Sequence, residues 1–347
     1  MIRTTKKEPL SKQVKKHVSR EIKEDKEYKG NFKKVISTGS TLLDLEISGG
    51  QVRGGGLPGG IFVEIFGPSS AGKTVLLCEI AGDIQRKGGD VRFDDPEARL
   101  NKQFAQLFDL NIKTIKYDTP DKVTEVFENI REWQPNTGKD IVNGTFTDSL
   151  AALSTNLEMD KEEGDKMGMR RAKEFSEGFR KNARILKQKN YLMVCSNQVR
   201  ENADTGGIKS PGGFAIGFYA SLRLRAMNPE RIYKEITVKG KEVKKAIGVR
   251  TNFEVFKSSI WRPFGVAPVT IIFDYGIDDI RENLQYIKRF TGATVYKHRG
   301  EILDKSMEKS IEIIEADPIL IRELKDDVID LWTEIQSKFD SNRKKER

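Results

Sequence analysis

The stretch GPSSAGKT at residues 67–74 restricts this chain more than any other. It satisfies G-x-x-x-x-G-K-[ST], in which glycines let successive backbone N–H groups turn inward onto an anion. Gly67 and Gly72 supply that backbone freedom, and Pro68, Ser69, Ser70 and Ala71 form the cradle between them. Lys73 sets a compact positive charge against the β- and γ-phosphates, and the Thr74 hydroxyl is a Mg²⁺ ligand by type. IFVEIF before the loop reads as a short buried strand, and VLLCEI after it as a helix whose N-terminal dipole faces the phosphates. The bland reading of the same string is a glycine-rich turn.

At 347 residues the chain exceeds the usual single domain, and 37% apolar residues suffice for a core. No run approaches the length of a membrane span, and MIRTTKKEPL lacks a secretory apolar stretch. Cys78 and Cys195 lie in apolar segments without a CxxC spacing, which argues against zinc and disulfides and for a reducing compartment. The expected location is therefore the cytoplasm. The net charge of +9 is carried by the ends: residues 1–34 hold +7 and residues 338–347 hold +3, leaving the body near −1. Nucleic-acid contact in the body must come from local patches rather than a global field.

Three regions follow. Residues 1–34 form a Lys-rich arm in which Leu10, Val14, Val18 and Ile22 recur every four positions, a stripe that docks on a neighbour or belongs to a solvated helix. Residues 35–276 alternate strands and helices, the pattern of a mainly parallel sheet covered on both faces. Residues 277–347 read as a small αβ segment with a helix around Leu284, Ile287 and Phe290, a hairpin near 296–303, a final amphipathic helix near 319–339 and a basic tail.

The strings VISTGS, GPSSAGKT, FDDPEARLN, TDSLAAL, SNQVR, GGFAIGFYASLRLR, VFKSSIWRPF and PVTIIFDYGID occur in an order and spacing that resembles the bacterial RecA recombinases. The similarity runs from about residue 35 to about 280 and marks a divergent member, with phage or plasmid origin as one reading. It implies a RecA-like P-loop NTPase core with a mainly parallel central sheet, an N-terminal helical arm and a small C-terminal αβ domain. It also implies ATP and Mg²⁺ as cofactors, and a DNA-dependent ATPase that forms helical filaments of itself on single-stranded DNA. Such a filament pairs its strand with double-stranded DNA and exchanges strands. A ring-forming helicase or translocase and an ATP-binding filament accessory with little hydrolysis are the alternatives.

Residue by residue, the resemblance makes Glu97 the group that orients and deprotonates the attacking water, Asp148 the Mg²⁺ carboxylate and Gln198 the γ-phosphate sensor. Phe104 matches an adenine-stacking aromatic, with a core Phe as the competing reading. The strand NGTFT before Asp148 is polar for a buried strand, which predicts looser metal binding or a more exposed strand. The loop at 158–169 matches the first DNA loop but is acidic. The second, residues 199–213, carries Arg200, Ile208, Lys209, Gly212 and Gly213 as DNA-contact candidates; a mobile surface linker is the alternative. Helix 170–189 sets Ala172, Phe175, Phe179, Ala183 and Leu186 toward the core. It sets Lys173, Arg180, Arg184 and Lys187 on another arc, either a DNA stripe led by Arg180 or a solvated face aided by Glu177 pairing with Arg180 and Arg184. Phe218 matches an aromatic that packs across the subunit boundary. Lys257 matches a cation that reaches ATP on the adjacent subunit. The family's second such lysine is Ser259 here, and Arg262 lies near enough to supply the charge.

Overall fold

The computed structural model describes residues 34–341 apart from 101–104, 106, 109, 136, 137, 139, 156–166, 199, 202–207 and 210–212. The arm with Leu10, Val14, Val18 and Ile22 lies outside the described residues. Ten strands make the central sheet: β1 (Ile61–Gly67), β2 (Val91–Asp94), β3 (Lys116–Asp118), β4 (Asn143–Thr147), β5 (Tyr191–Gln198), β6 (Leu222–Ala226), β7 (Glu230–Val238), β8 (Lys241–Ser258), β9 (Val266–Ile272) and β10 (Gly276–Ile277). The spatial order is β10-β9-β8-β6-β1-β5-β4-β2-β3, with β7 hydrogen-bonded to β8. From β6 to β3 every pairing is parallel. From β6 outward to β10, and in the β7–β8 hairpin, every pairing is antiparallel.

From β6 to β2 the strands are largely buried between helices on the two faces, whereas the edge strand β3 is mostly exposed. Helix α1 (Thr41–Ser48) precedes β1, and α2 (Lys73–Arg86) follows it. One face of the sheet is covered by α2, which approaches so closely that a Cβ on Gly144 would lie 2.5 Å from Ile84 Cδ1. The other face is covered by α3 (Val123–Glu132), α4 (Met167–Gln188) and α5 (Gly213–Tyr219) through a cluster of rings. In that cluster Phe179 stacks on Phe62 at 4.3 Å and meets Phe127 edge-on at 4.9 Å.

One expectation is overturned here. The polar strand NGTFT is neither exposed nor peripheral: all five residues of β4 are buried between β2 and β5. The physical reason lies in partners that the fold brings to the strand. Asn143 Oδ1 accepts the Asp90 N–H at 2.9 Å, Gly144 makes room for α2, and Phe146 stacks on Phe93 at 5.8 Å.

Residues beyond β10 form α6 (Asp279–Thr291), α7 (Met307–Glu315) and α8 (Pro318–Lys338), with a two-residue strand pair at Lys297–His298 and Glu301–Ile302. Their own apolar cluster includes Ile280, Leu284, Ile311, Ile314 and Leu324. Polar connections tie them to the sheet and to α1. Asp279 accepts from Thr41 N and Oγ1 at 2.7 Å each, Arg250 grips Glu282 with two bonds of 2.7 and 2.9 Å, and Trp332 Nε1 donates to Glu46 at 2.8 Å.

Asp44 on α1 is buried and bridges Ser37 and Thr38 with three hydrogen bonds. Burial pushes its carboxyl up to about 7 despite those bonds. A carboxyl whose folded value is raised holds its proton more tightly in the native state. Its contribution to stability is therefore greatest below the usual 3.8 and declines as pH climbs from there to about 7. Denaturant unfolding of wild type and Asp44→Asn across that window should show the difference between them falling with rising pH and levelling off above about 7.

Candidate nucleotide site

The loop after β1 is shaped by contacts only glycine permits. A Cβ on Gly67 would lie 2.4 Å from the Ala226 carbonyl oxygen, and one on Gly72 would lie 2.2 Å from Ile271 Cδ1. Gly72 also takes a left-handed φ of +84° as the N-cap of α2. Ala71 is buried, while Ser69 and Ser70 are exposed at the crest. Lys73 opens α2 and turns its ammonium back over the loop, donating to the Gly67 carbonyl at 3.1 Å and the Pro68 carbonyl at 2.6 Å. Desolvation holds this ammonium below the ordinary lysine value, with the Asp148 and Glu97 carboxylates pulling the other way.

The carboxylates converge on the same place. Asp148 follows β4, and its two oxygens are divided between hydroxyls: Thr74 Oγ1 donates at 2.6 Å and Ser196 Oγ donates to the other. The Asp148–Ser149 peptide bond is cis. Glu97 follows β2, with Oε1 3.5 Å from Ser149 Oγ and Oε2 2.7 Å from Arg99 Nη1. Gln198 ends β5 directly opposite Gly67 in the strand register. Lys73, Thr74, Asp148, Glu97 and Gln198 thus meet at the carboxyl edge of the parallel strands. Ser196 and Arg99 belong to this group and were missed in the sequence reading. Arg99 lies within the FDDPEARLN string and two positions from Glu97, so its signal was available.

This donor and acceptor set suits a magnesium nucleotide. The loop offers two glycines where a Cβ would strike Ala226 and Ile271, an ammonium bonded to two loop carbonyls, and a hydroxyl–carboxylate pair of the kind that holds a hard divalent ion.

The remaining candidates fall elsewhere. Phe104 and Gly212 lie outside the described residues, as does most of the acidic loop. In the second loop Arg200–Glu201 pairs antiparallel with Ile208–Lys209, setting Arg200 opposite Lys209, and Gly213 begins α5. Along α4, Phe175, Phe179 and Leu186 are buried, whereas Ala183 is exposed. Lys173, Arg180, Arg184 and Lys187 are all exposed, but Glu177 pairs with Lys181 at 2.6 Å rather than with Arg180 or Arg184. The i,i+4 spacing with the acid on the N-terminal side favours that choice.

Phe218 is 75% exposed on α5, so it does not pack into its own core. Lys257 Nζ sits on the end of α5, donating to the carbonyls of Gly217 at 2.8 Å and Phe218 at 3.0 Å. Burial and the neighbouring Arg223 hold it below the ordinary lysine value. Arg262 is engaged elsewhere, bonded to Asp340 at 2.7 Å and stacked over Trp261 at 5.0 Å.

A parallel sheet whose first strand feeds a glycine cradle and a helix, with carboxylates on the neighbouring strand ends, defines a P-loop ATPase of the RecA type. Comparison with known proteins narrows this. A sequence model of the RecA N-terminal domain matches residues 9–278. Protein RecA of Thermus thermophilus is 31% identical over 316 residues, covering 87% of this chain and 86% of that one. Protein RecA of Azoarcus is 31% identical over 313 residues, at 86% and 85%, and that of Synechocystis 31% over 292 residues, at 82% and 77%. The chain belongs to the RecA family. It is a recombinase and a DNA-dependent ATPase acting in DNA recombination and repair. Among the described residues no helix is long and apolar enough to cross a membrane.

The two glycines should tolerate substitution differently. In Gly67→Ala the clash is with backbone at Ala226, so nothing nearby can yield. In Gly72→Ala the clash is with the tip of a side chain, and Ile271→Val removes that tip. Both single variants should unfold at lower denaturant, and Ile271→Val should recover part of the loss only for Gly72→Ala. About 1–2 kcal/mol of left-handed strain at residue 72 should remain.

Proposed function

We propose that residues 67–74 bind ATP with Mg²⁺ and that the chain works as a helical filament of itself on single-stranded DNA, pairing that strand with a homologous duplex. The observation that carries this reading is the meeting of Lys73, Thr74, Asp148, Glu97 and Gln198 at one sheet edge. On ATP binding, Lys73 exchanges the Gly67 and Pro68 carbonyls for phosphate oxygens, and the backbone N–H groups of residues 69–74 take up the rest of the charge. Thr74 and Asp148 hold the metal, and Mg²⁺ when bound neutralises charge on the phosphates. Glu97 accepts a proton from the attacking water, which requires it to loosen its bond to Arg99. Gln198, one residue from the second loop, reports the γ-phosphate to that loop. Phe104 is assigned to the adenine face.

Residues 35–276 are taken as the ATPase core, 1–34 as the arm that joins neighbours and 277–347 as an accessory αβ domain. The exposed Phe218 faces the neighbouring copy, and Lys257 and Arg262 are assigned to its ATP. Both cations must first leave the partners they hold within their own chain. Arg200, Ile208, Lys209, Gly212, Gly213 and Arg180 are assigned to DNA, with the two basic residues of the second loop on phosphates and Ile208 against opened base steps.

Two experiments test the reading. Lys73→Ala should abolish tight ATP binding, whereas Glu97→Gln should bind ATP normally and lose turnover by about 100-fold or more, because only the proton acceptor is removed. Wild-type hydrolysis by Glu97→Gln refutes the base assignment. Arg200→Ala should weaken binding to oligo-dT and to mixed-sequence single strands alike, and reduce the salt slope by about one charge in anisotropy titrations. An unchanged slope removes Arg200 from the DNA site.

A further inference from the structure

Glu64 is a charged residue in the middle of the sheet. It lies on β1 three positions before Gly67 and is fully buried. A buried carboxylate is costly unless both oxygens are well bonded, so the identity of its partners is informative. One oxygen accepts from Asn197 Nδ2 at 2.9 Å, and Asn197 is the residue before Gln198. The other accepts from Arg223 Nε at 2.6 Å, directly across from it on β6.

Arg223 leads away from the nucleotide loop toward α5. Its guanidinium lies over the Phe66 ring at 4.5 Å and the Phe256 ring at 5.3 Å. Its Nη1 comes within 3.1 Å of where a Cβ on Gly217 would sit, so it rests against the backbone of α5. Arg223 is also paired in register with Lys257, whose ammonium caps the carbonyls of Gly217 and Phe218. Two cations therefore brace the same turn of α5, one from below and one at its end. That turn presents Phe218 to solvent.

We infer that Glu64 is a positioning residue of the face that meets the neighbouring copy. Its carboxylate anchors Arg223, which fixes the turn carrying Phe218 and the rest position of Lys257, and it ties that face to the strand end carrying Gln198. This rests on the reading of Phe218 and Lys257 as subunit contacts. The two bonds described for Glu64 run to Asn197 and Arg223 rather than to residues 67–74, so its loss should act on assembly rather than on nucleotide binding.

The test uses the full chain with a fluorescent ATP analogue and oligo-dT. Glu64→Gln keeps the shape but weakens the bond to Arg223. It should raise the protein concentration for half-maximal DNA-stimulated ATPase about tenfold, the size of one lost charge-assisted hydrogen bond. Nucleotide affinity in dilute protein should stay within about twofold of wild type. Arg223→Gln should give the same shift, and the double variant no more than either single one, because both remove one interaction. If Glu64→Gln does not fold, Arg223→Lys, which keeps the cation and loses the Nε bond, carries the same expectation. Nucleotide affinity falling together with melting temperature, at an unchanged half-maximal concentration, makes Glu64 merely structural and overturns the inference. Phe218→Ala separates the two layers. If it shifts the concentration dependence and Glu64→Gln does not, the inference alone fails. If Phe218→Ala shifts nothing, the subunit-contact reading fails and takes the inference with it.

Discussion

The parallel register of β6, β1, β5, β4 and β2 is the constraint on which the rest depends. Parallel pairing sends every strand in the same direction, so all carboxyl ends arrive at one edge. Gly67, Gln198, Asp148 and Glu97 each end or follow one of these strands, and they become neighbours although up to 131 positions separate them in the chain. Buried polar pairs help lock the register, because a one-residue slip would part Glu64 from Asn197 and Arg223 on the two neighbouring strands. Glu64 is a charge that such a sheet tolerates only with both oxygens bonded, and its bonds to Asn197 and Arg223 tie three adjacent strands.

The site is electrostatically closed on itself. Lys73 is satisfied by loop carbonyls, Asp148 by two hydroxyls and Glu97 by Arg99. On the proposed reading, phosphate oxygens take the place of the carbonyls on Lys73 rather than falling into an open field of charge. The same holds for Lys257, which caps α5, and Arg262, which is bonded to Asp340. Exposed pairs such as Arg262 with Asp340 are worth about 1 kcal/mol or less and yield readily, whereas the partly buried bonds around Lys73 are harder to exchange. Differences in burial thus give the groups of one proposed site different readiness to move.

Much of this was legible in the sequence, and the reason lies in local chemistry. GPSSAGKT names its own conformation, since the positions of Gly67 and Gly72 and the cation after them leave few other structures for the segment. The apolar runs around it announced a strand and a helix, and the order of strings such as FDDPEARLN and SNQVR carried the family. Cys78 and Cys195 were read as core thiols from their apolar neighbours, and both are buried and free.

Other features depend on residues far apart, which no local pattern encodes. NGTFT looks like a poor buried strand until Asp90, Ile84 and Phe93 close around it. The exposure of Phe218 and the parking of Lys257 and Arg262 follow from where the fold sets α5 and Asp340 beside residues distant in the chain. The sequence by itself determined the phosphate loop, the alternation of strands and helices and the family, because these rest on backbone freedom and short-range periodicity. Tertiary structure alone decided which charges neutralise one another, because a carboxylate or an ammonium takes whichever partner the folded chain brings within bonding distance.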